Sequence, residues 1–130
     1  MGTNHVSSEL KRRVQNLWLP SETEAPWTVP SWTLSTGNVV ELRRVLRRDP
    51  ETPVSKTSLD ELMAQVQRRC RGYGEEGKEI AQQHRALFEF LQQISDRWQV
   101  FRVGEVTVDI VAVGEMENGY VALQTQSVET

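Results

Sequence analysis

The spacing of apolar residues changes once along this chain of 130 residues, and the change limits the folds open to it. Before the change they recur at helical spacing, and the longest stripe consists of Ile80, His84, Leu87, Leu91, Ile94 and Trp98. After it the period is two, as in strands, over residues 99–103, 106–114 and 120–127. Asn118-Gly119, between the last two segments, is a strong hairpin signal. The sequence therefore predicts a long helix over residues 78–97, followed by an antiparallel meander.

Capping signals predict three shorter helices earlier in the chain, over residues 7–18, 38–47 and 58–68. Ser7 or Ser8 is a suitable N-cap for the first helix, and Pro20 stops it. Asn38 and Ser58 cap the other two, each with a glutamate three residues later as in a capping box. Each helix thus has a start signal of its own.

The segments between these helices predict less regular structure. Three prolines exclude a helix from the segment after the first one, in which Trp27 and Val29 suggest an edge strand broken by Pro30. Residues 52–57, TPVSKT, predict a short strand. The three glycines of residues 71–77, RGYGEEG, predict a flexible break before the long helix.

The order of these elements predicts the fold class. Helices come first and antiparallel strands follow, which is the α+β arrangement, with helices covering at least one face of the sheet. The chain has the length of one ordinary domain and shows no internal repeat or linker. We expect a single domain over residues 1–130.

Composition restricts the classes of protein to which the chain can belong. A hydrophobic content of 38% and a charged content of 25% are typical of globular proteins. The one cysteine, Cys70, rules out an internal disulfide framework and fits a reducing compartment. No stretch has the length and apolarity of a membrane span, and the N-terminus lacks the core of a secretory signal. We therefore expect a cytoplasmic protein that does not associate with membranes.

Charge is unevenly distributed along the chain. The net charge of −3 argues against a general nucleic-acid binder. Basic residues concentrate between residues 43 and 71, namely Arg43, Arg44, Arg47, Arg48, Lys56, Arg68, Arg69 and Arg71. From residue 103 to residue 130 there is no lysine or arginine, and the charged residues are Glu105, Asp109, Glu115, Glu117 and Glu129. The last segment of the sequence is therefore purely acidic.

The residues that enzymes and metal sites need are scarce. His5, His84 and Cys70 are too few and too scattered for zinc, and His84 lies on an apolar helix stripe, as a core histidine does. Cys70 has no histidine positioned to activate it, and no phosphate-binding glycine loop is present. Glu22 and Glu24 lie in a polar segment that gives no sign of the burial needed for acid–base catalysis. We expect a protein that is not an enzyme and has no cofactor or metal of its own.

Two stretches of the sequence are distinctive enough to compare with known families. The first is QVFRVGEVTVDIVAVGE, then an Asn-Gly turn, then GYVALQTQSVET, and it resembles the nuclease A inhibitor family of cyanobacteria. The second is LWLPSETEAPW at residues 17–27, in which the Ser-Glu-x-Glu-x-Pro-aromatic core is similar to the same family. Residues 35–98 agree with it in the order of their helices.

This resemblance implies a fold and a function. Family members look like a three-layer α/β/α sandwich related to the plant pathogenesis-related-1 fold. The known inhibitor blocks a sugar-nonspecific, magnesium-dependent endonuclease of the ββα-metal type. In keeping with the negative net charge, we expect this chain not to bind nucleic acid directly. The resemblance therefore implies a protein inhibitor that is a monomer when free, with a nonspecific endonuclease as its partner.

The resemblance also implies roles for individual residues. In the family, oxygens of a C-terminal threonine reach the catalytic metal of the nuclease, directly or through its water, and a glutamate of the Ser-Glu-x-Glu segment pairs with an active-site arginine. By motif these roles fall on Thr130 and on Glu22, with Glu24 beside it. A tryptophan that contacts the nuclease from the loop before the long helix has no counterpart here, and Tyr73 is the nearest aromatic residue.

A terminal threonine suits such a role chemically. A nuclease cleft is built to receive an anion against a metal ion and basic side chains. A terminal carboxylate takes the place of a phosphate there and has no leaving group to lose. The predicted strand over residues 120–127 would hold the terminus rigid, as a plug requires.

Two other functions are open at this point. A diverged member of the same family would bind a different partner or act as a scaffold, with the basic residues between 43 and 71 as its surface. An unrecognised hydrolase would use the region of Glu22 and Glu24. The absent tryptophan favours the diverged member, and the presence of both Glu22 and Thr130 favours the inhibitor.

Overall fold

A computed structural model describes residues 3–20, 25–117 and 119–128, with side chains from residue 6 onward. Its elements are α1 (Thr3–Val14), α2 (Val39–Val45), β1 (Val54–Thr57), α3 (Leu59–Cys70), α4 (Gly74–Ile94), β2 (Trp98–Val103), β3 (Thr107–Met116) and β4 (Gly119–Val128). A short 3-10 helix, Arg71–Tyr73, joins α3 to α4. The chain has a mixed α/β fold, in which helices are combined with an antiparallel sheet.

The sheet is the meander that the alternating segments predict. Its strand order is β1-β2-β3-β4, and each strand is antiparallel to the next. The last three strands begin and end within two residues of the predicted bounds, and the short strand predicted in TPVSKT is β1. Ile110 at the middle of this sheet lies opposite Arg102 of β2 on one side and Thr125 of β4 on the other.

Both faces of the sheet are covered. One face packs against α1, α3 and α4, and its strand residues are Val100, Val108, Ile110, Ala112, Val121 and Leu123. The other face packs against α2 and the segment before it, through Phe101, Val103, Val111, Val113 and Ala122. Because β3 is covered on both sides, residues 108–113 are all buried, which explains why VDIVAV contains so few polar residues.

The first helix lies earlier in the chain than predicted. It begins at Thr3 and passes through Ser7 and Ser8, so neither serine is its N-cap. It ends at Val14 because Asn16 takes the left-handed conformation, with φ of 65°, before Pro20 is reached. The two serines were misleading because Val6, on their N-terminal side, continues the buried stripe of Leu10 and Val14.

The predicted flexible break at RGYGEEG is wrong. Residues 71–73 form the 3-10 helix and α4 begins at Gly74, four residues earlier than predicted. Gly77 is required inside the helix, since a Cβ there would lie 1.9 Å from the carbonyl oxygen of Cys70. This glycine lets α3 and α4 approach closely. At its other end α4 stops at Ile94, because Ser95 is extended.

The segment between α1 and α2 is not the predicted strand. Within residues 25–38, the described part of this segment that follows the gap, the strand-type pairing consists of isolated bridges, at Pro26 with Trp18 and at Thr28 with Gln124. The predicted caps are confirmed, since the side chains of Asn38 and Ser58 each accept a hydrogen bond from the backbone N–H three residues later.

Candidate functional site

The residues predicted to bind a partner fall into two groups. Glu22, Glu24 and Thr130 lie outside the described residues. Tyr73 is described. The residues that border the two undescribed segments are described as well: Pro20 and Ala25 on either side of residues 21–24, and Val128 before residues 129–130. The geometry of the site is therefore built from these flanking residues.

The chain segments before and after residues 21–24 lie side by side. The backbone N–H of Leu19 donates to the carbonyl oxygen of Ala25 at 2.8 Å. The N–H of Trp27 donates to the carbonyl oxygen of Leu17 at 2.9 Å. Leu17, Leu19 and Trp27 are all buried, so the core anchors both segments. The described residues on either side of residues 21–24 are consequently fixed by the core; we call residues 21–24 the acidic loop and their described neighbours its base.

The same base is attached to β4. Thr28 and Gln124 exchange backbone hydrogen bonds of 2.8 and 2.9 Å. The hydroxyl of Thr125, which is buried, lies 3.1 Å from the carbonyl oxygen of Ala25 and 3.0 Å from that of Pro26, and shares its proton between them. Val128 is three residues further along the strand, about 10 Å at the usual rise. The base of the acidic loop and the strand that leads to Thr130 are thus held together.

Tyr73 lies beside this base. It is the last residue of the 3-10 helix and is half-buried. Its ring packs edge-on against that of Trp18, with 5.6 Å between ring centroids and 68° between the ring planes. Trp18 forms the bridge with Pro26 at the loop base. The structure therefore brings Tyr73 next to the described residues that flank the acidic loop.

Two arginines at this end were not singled out as site residues. The Nη1 of Arg69 donates to the carbonyl oxygen of Pro20 at 3.2 Å. Arg102 is half-buried on β2, where Ile110 separates it from Thr125. Burial lowers the pKa of the Arg102 guanidinium, and the positive charge of Arg69 lowers that pKa further. The sequence did carry a signal for the position of Arg102. It is two residues from Val100 on the same strand, so both side chains lie on the face of the sheet that packs against the helices.

His84 supports the loop base from inside the core. It is fully buried, as the interpretation of a core histidine requires, and its Nε2 accepts a hydrogen bond from Trp27 Nε1 at 2.9 Å. The indole nitrogen can only donate, so the proton of the neutral ring is on Nδ1, which donates to the carbonyl oxygen of Ile80 at 2.9 Å. Burial lowers the pKa of His84, which keeps the ring neutral.

Other candidate chemistry is weak in the described residues. No cluster of three His, Cys, Asp or Glu side chains among them has the geometry to hold a metal ion. Cys70 is buried, and burial raises the pKa of its thiol, which suppresses the reactive thiolate. No helix within the described ranges is long and apolar enough to cross a membrane.

Two arginines of the basic surface considered for another partner form hydrogen bonds inside the molecule. Arg43 donates to the carbonyl oxygen of Thr52 at 2.9 Å. Arg48 donates to the buried carboxylate of Asp109 at 2.8 Å and, through a second nitrogen, to the carbonyl oxygen of Thr107. These two arginines connect α2 and the segment after it to neighbouring structure, so they contribute to the fold.

Comparison with protein families gives one match. A family model described as nuclease A inhibitor-like protein matches residues 4–130. The matched range includes the acidic loop, Tyr73 and Thr130. No curated protein matches the chain.

Proposed function

The chain belongs to the nuclease A inhibitor-like family, and from this we propose that it inhibits a sugar-nonspecific, divalent-metal-dependent DNA/RNA endonuclease. It does so by occluding the nuclease active site with Thr130 and the acidic loop. One observation supports this mechanism most. The described residues that follow the acidic loop, from Ala25 to Thr28, are hydrogen-bonded to β4, the strand that precedes Thr130 in the chain.

Each segment has a distinct role in the proposal. Thr130 presents its carboxylate and hydroxyl to the divalent metal in the nuclease, where a substrate phosphate would bind. Glu22 pairs with an active-site arginine, and Glu24 lies next to it in the acidic loop. Tyr73 contacts the nuclease at the rim of the interface, with Trp18 packed behind it.

The remaining features of the proposal follow from the family. An inhibitor of this kind is not catalytic, needs no cofactor and binds no metal tightly by itself. We propose further that residues 1–130 are one domain with the three-layer, pathogenesis-related-1-like sandwich architecture. The helices on both faces of the sheet agree with that architecture. The protein would act as a cytoplasmic monomer until it meets its nuclease.

The test is an inhibition titration against a magnesium-dependent nonspecific nuclease. Deleting Thr130, or extending the chain beyond it with a short glycine-serine tag, should weaken inhibition at least tenfold, about 1.4 kcal/mol. The melting temperature should barely change, because a terminal residue contributes little to a core. Thr130→Ala retains the carboxylate, so a small effect of that variant would assign the contact to the carboxylate and not to the hydroxyl.

The same tag placed at the N-terminus is the matched control, and it should leave inhibition intact. If the C-terminally extended protein inhibits as well as the parent, the plug mechanism is wrong. If the parent inhibits no nuclease of this class, the protein is a family member with another partner.

A further inference from the structure

The face of the sheet that packs against α2 is not covered along its whole length. The helix has seven residues and forms one apolar cluster with Phe101, Val103 and Val111. Beyond this cluster lies a cavity of about 420 Å³, lined by the loop before α2, the start of β2, the end of β3 and the start of β4. Its volume is in the range of sites that hold small molecules.

The walls of this cavity are fixed by contacts inside the protein. The phenol of Tyr120 donates to the carbonyl oxygen of Thr36 at 3.1 Å, and a Cβ on Gly37 would approach the Tyr120 ring to 3.0 Å. The N–H groups of Thr36 and Gly37 each donate to the buried carboxylate of Glu41 at 2.9 Å. The Trp98 indole, in another wall, donates to a backbone carbonyl oxygen of α4 at 2.8 Å. The cavity is therefore preformed, which lowers the entropy cost of binding a ligand.

The polar side chains that line the cavity include both donors and acceptors. Arg97 and Glu115 are exposed and pair loosely, with 3.7 Å between Nη1 and Oε1. Because water screens such a pair, neither group is held firmly by the other, and their charges cancel. The exposed Gln99 supplies an amide that both donates and accepts, and Tyr120 supplies an aromatic ring. This combination suits a neutral ligand that carries several hydroxyl groups.

We propose that the cavity binds a neutral sugar ring. A hydroxyl both donates and accepts, so neighbouring hydroxyls of a sugar can bond the carboxylate of Glu115 and the guanidinium of Arg97 together, whereas an ion would separate this pair. The amide of Gln99 binds a further hydroxyl, and the C–H face of the ring packs on the apolar ring of Tyr120. None of these residues is among those proposed to bind the nuclease, so the sugar is a separate ligand.

An NMR titration of the isotopically labelled protein, which follows its backbone amide signals, tests this without any nuclease. The probes are maltose, which presents a hexose, and uridine, which presents the ribose of a nucleoside. At least one of them should shift the signals of Gly37, Gln99 and Tyr120 saturably, with a Kd on the order of 1 mM. Saturation with maltose alone would identify a hexose as the ligand. Saturation with uridine but not with uracil would identify the ribose.

A matched pair of variants tests the assigned contact. Gln99→Ala should weaken binding of the active probe about fivefold, the effect of losing one hydrogen-bonding side chain. Gln82→Ala makes the same change at an exposed position of α4 and should bind as the parent does. Both variants should melt with the parent, since both side chains are exposed.

Three results would overturn the proposal. One is the absence of a saturable shift at these amides with either sugar. Another is equal affinity of Gln99→Ala and the parent for the active probe. The third is tighter binding of alanine or of glucose phosphate than of the neutral sugars, because the cavity would then select a charged ligand.

Discussion

At the scale of single residues, the site combines acidic side chains that are proposed to bind the nuclease with buried polar side chains that hold the neighbouring backbone in place. The described part of the chain supplies fixed supports, such as Thr125 under the loop base and His84 behind Trp27. These residues fix the segment next to the acidic loop, whose glutamates are proposed to bind the nuclease. Two substitutions test the two kinds of residue separately.

Glu22→Gln tests the binding role. If Glu22 meets an arginine in the nuclease cleft, the substitution leaves that arginine desolvated and without a charged partner. Binding should weaken by about 2–5 kcal/mol, measured as the inhibition constant against a responsive nuclease. The melting temperature should match that of the parent. Equal inhibition by the variant and the parent would remove Glu22 from the interface.

His84→Leu tests the support behind the loop. The pKa of His84 is lowered in the fold, so between that value and the ordinary value of about 6.5 the unfolded chain binds the extra proton. The contribution of His84 to stability is therefore complete above about pH 6.5 and is lost as the pH falls below it. His84→Leu should be less stable at neutral pH by about 1–3 kcal/mol, since Trp27 Nε1 loses its acceptor.

The measurement is the melting temperature of parent and variant from pH 7.5 to pH 5. The difference between them should shrink toward acid, because only the parent has a buried imidazole to protonate. A difference that stays constant across this range would show that His84 does not titrate in the way that its hydrogen bonds require.

At the scale of elements, the start of α2 shows how one side chain can shape a loop. The side chain of Asn38 caps the helix. In a full capping box the carboxylate of Glu41 would also accept a hydrogen bond from the backbone N–H of Asn38, but here it bonds elsewhere. It accepts hydrogen bonds from the N–H groups of Ser35, Thr36 and Gly37 and from the hydroxyls of Ser35 and Thr36, at 2.7–3.0 Å. These bonds, led by those from Ser35, hold the pKa of Glu41 far below its usual range.

Glu41→Ala should therefore destabilise the fold by about 3 kcal/mol, because the backbone and hydroxyl donors of Ser35, Thr36 and Gly37 lose one charged acceptor. The effect should be present above about pH 4.3 and fade in stronger acid, where the carboxylate of the parent also loses its charge. Chemical denaturation measures it, with Glu79→Ala on an exposed part of α4 as the control expected within about 0.5 kcal/mol of the parent. A Glu41→Ala protein as stable as that control would contradict the role of the carboxylate.

At the scale of the whole molecule, the two ends of the sheet have different proposed roles, one in binding the nuclease and the other in stability. One end carries Thr107 and Val128, the last described residue before Thr130, and the opposite end carries Gly114 and Trp98. A Cβ on Gly114 would approach the Trp98 ring to 2.7 Å, and that ring is held by the bond from its Nε1 to the carbonyl oxygen of Leu91. The far end is thus tightly packed and has no part in the proposed interface.

Gly114→Ala should consequently separate stability from inhibition. Overpacking against Trp98 should lower the free energy of unfolding by about 1–3 kcal/mol. Inhibition by the protein that remains folded should stay within about twofold of the parent. Parallel denaturation and inhibition titrations measure both, and a loss of inhibition that follows the loss of stability would show that binding is not confined to one end.

The types of most elements were determined by the sequence alone. Helical and strand periods, and the caps at Asn38 and Ser58, are local properties that act over a few residues, and local reasoning was correct for them. It failed at Ser7 and Ser8 and at RGYGEEG. There the local signal was overruled by core packing, through Val6 in the first case and through Gly77 against Cys70 in the second.

The assembly of the site was decided only by the tertiary structure. The hydroxyl of Thr125 meets a carbonyl oxygen one hundred residues away in the chain, and Arg69 reaches Pro20 across forty-nine. Neither contact has a signature in residue spacing, because it exists only after the sheet and helices have packed. The resemblance named Glu22, Glu24, Tyr73 and Thr130 from the sequence. The supports that surround the loop base follow from how the chain folds back on itself.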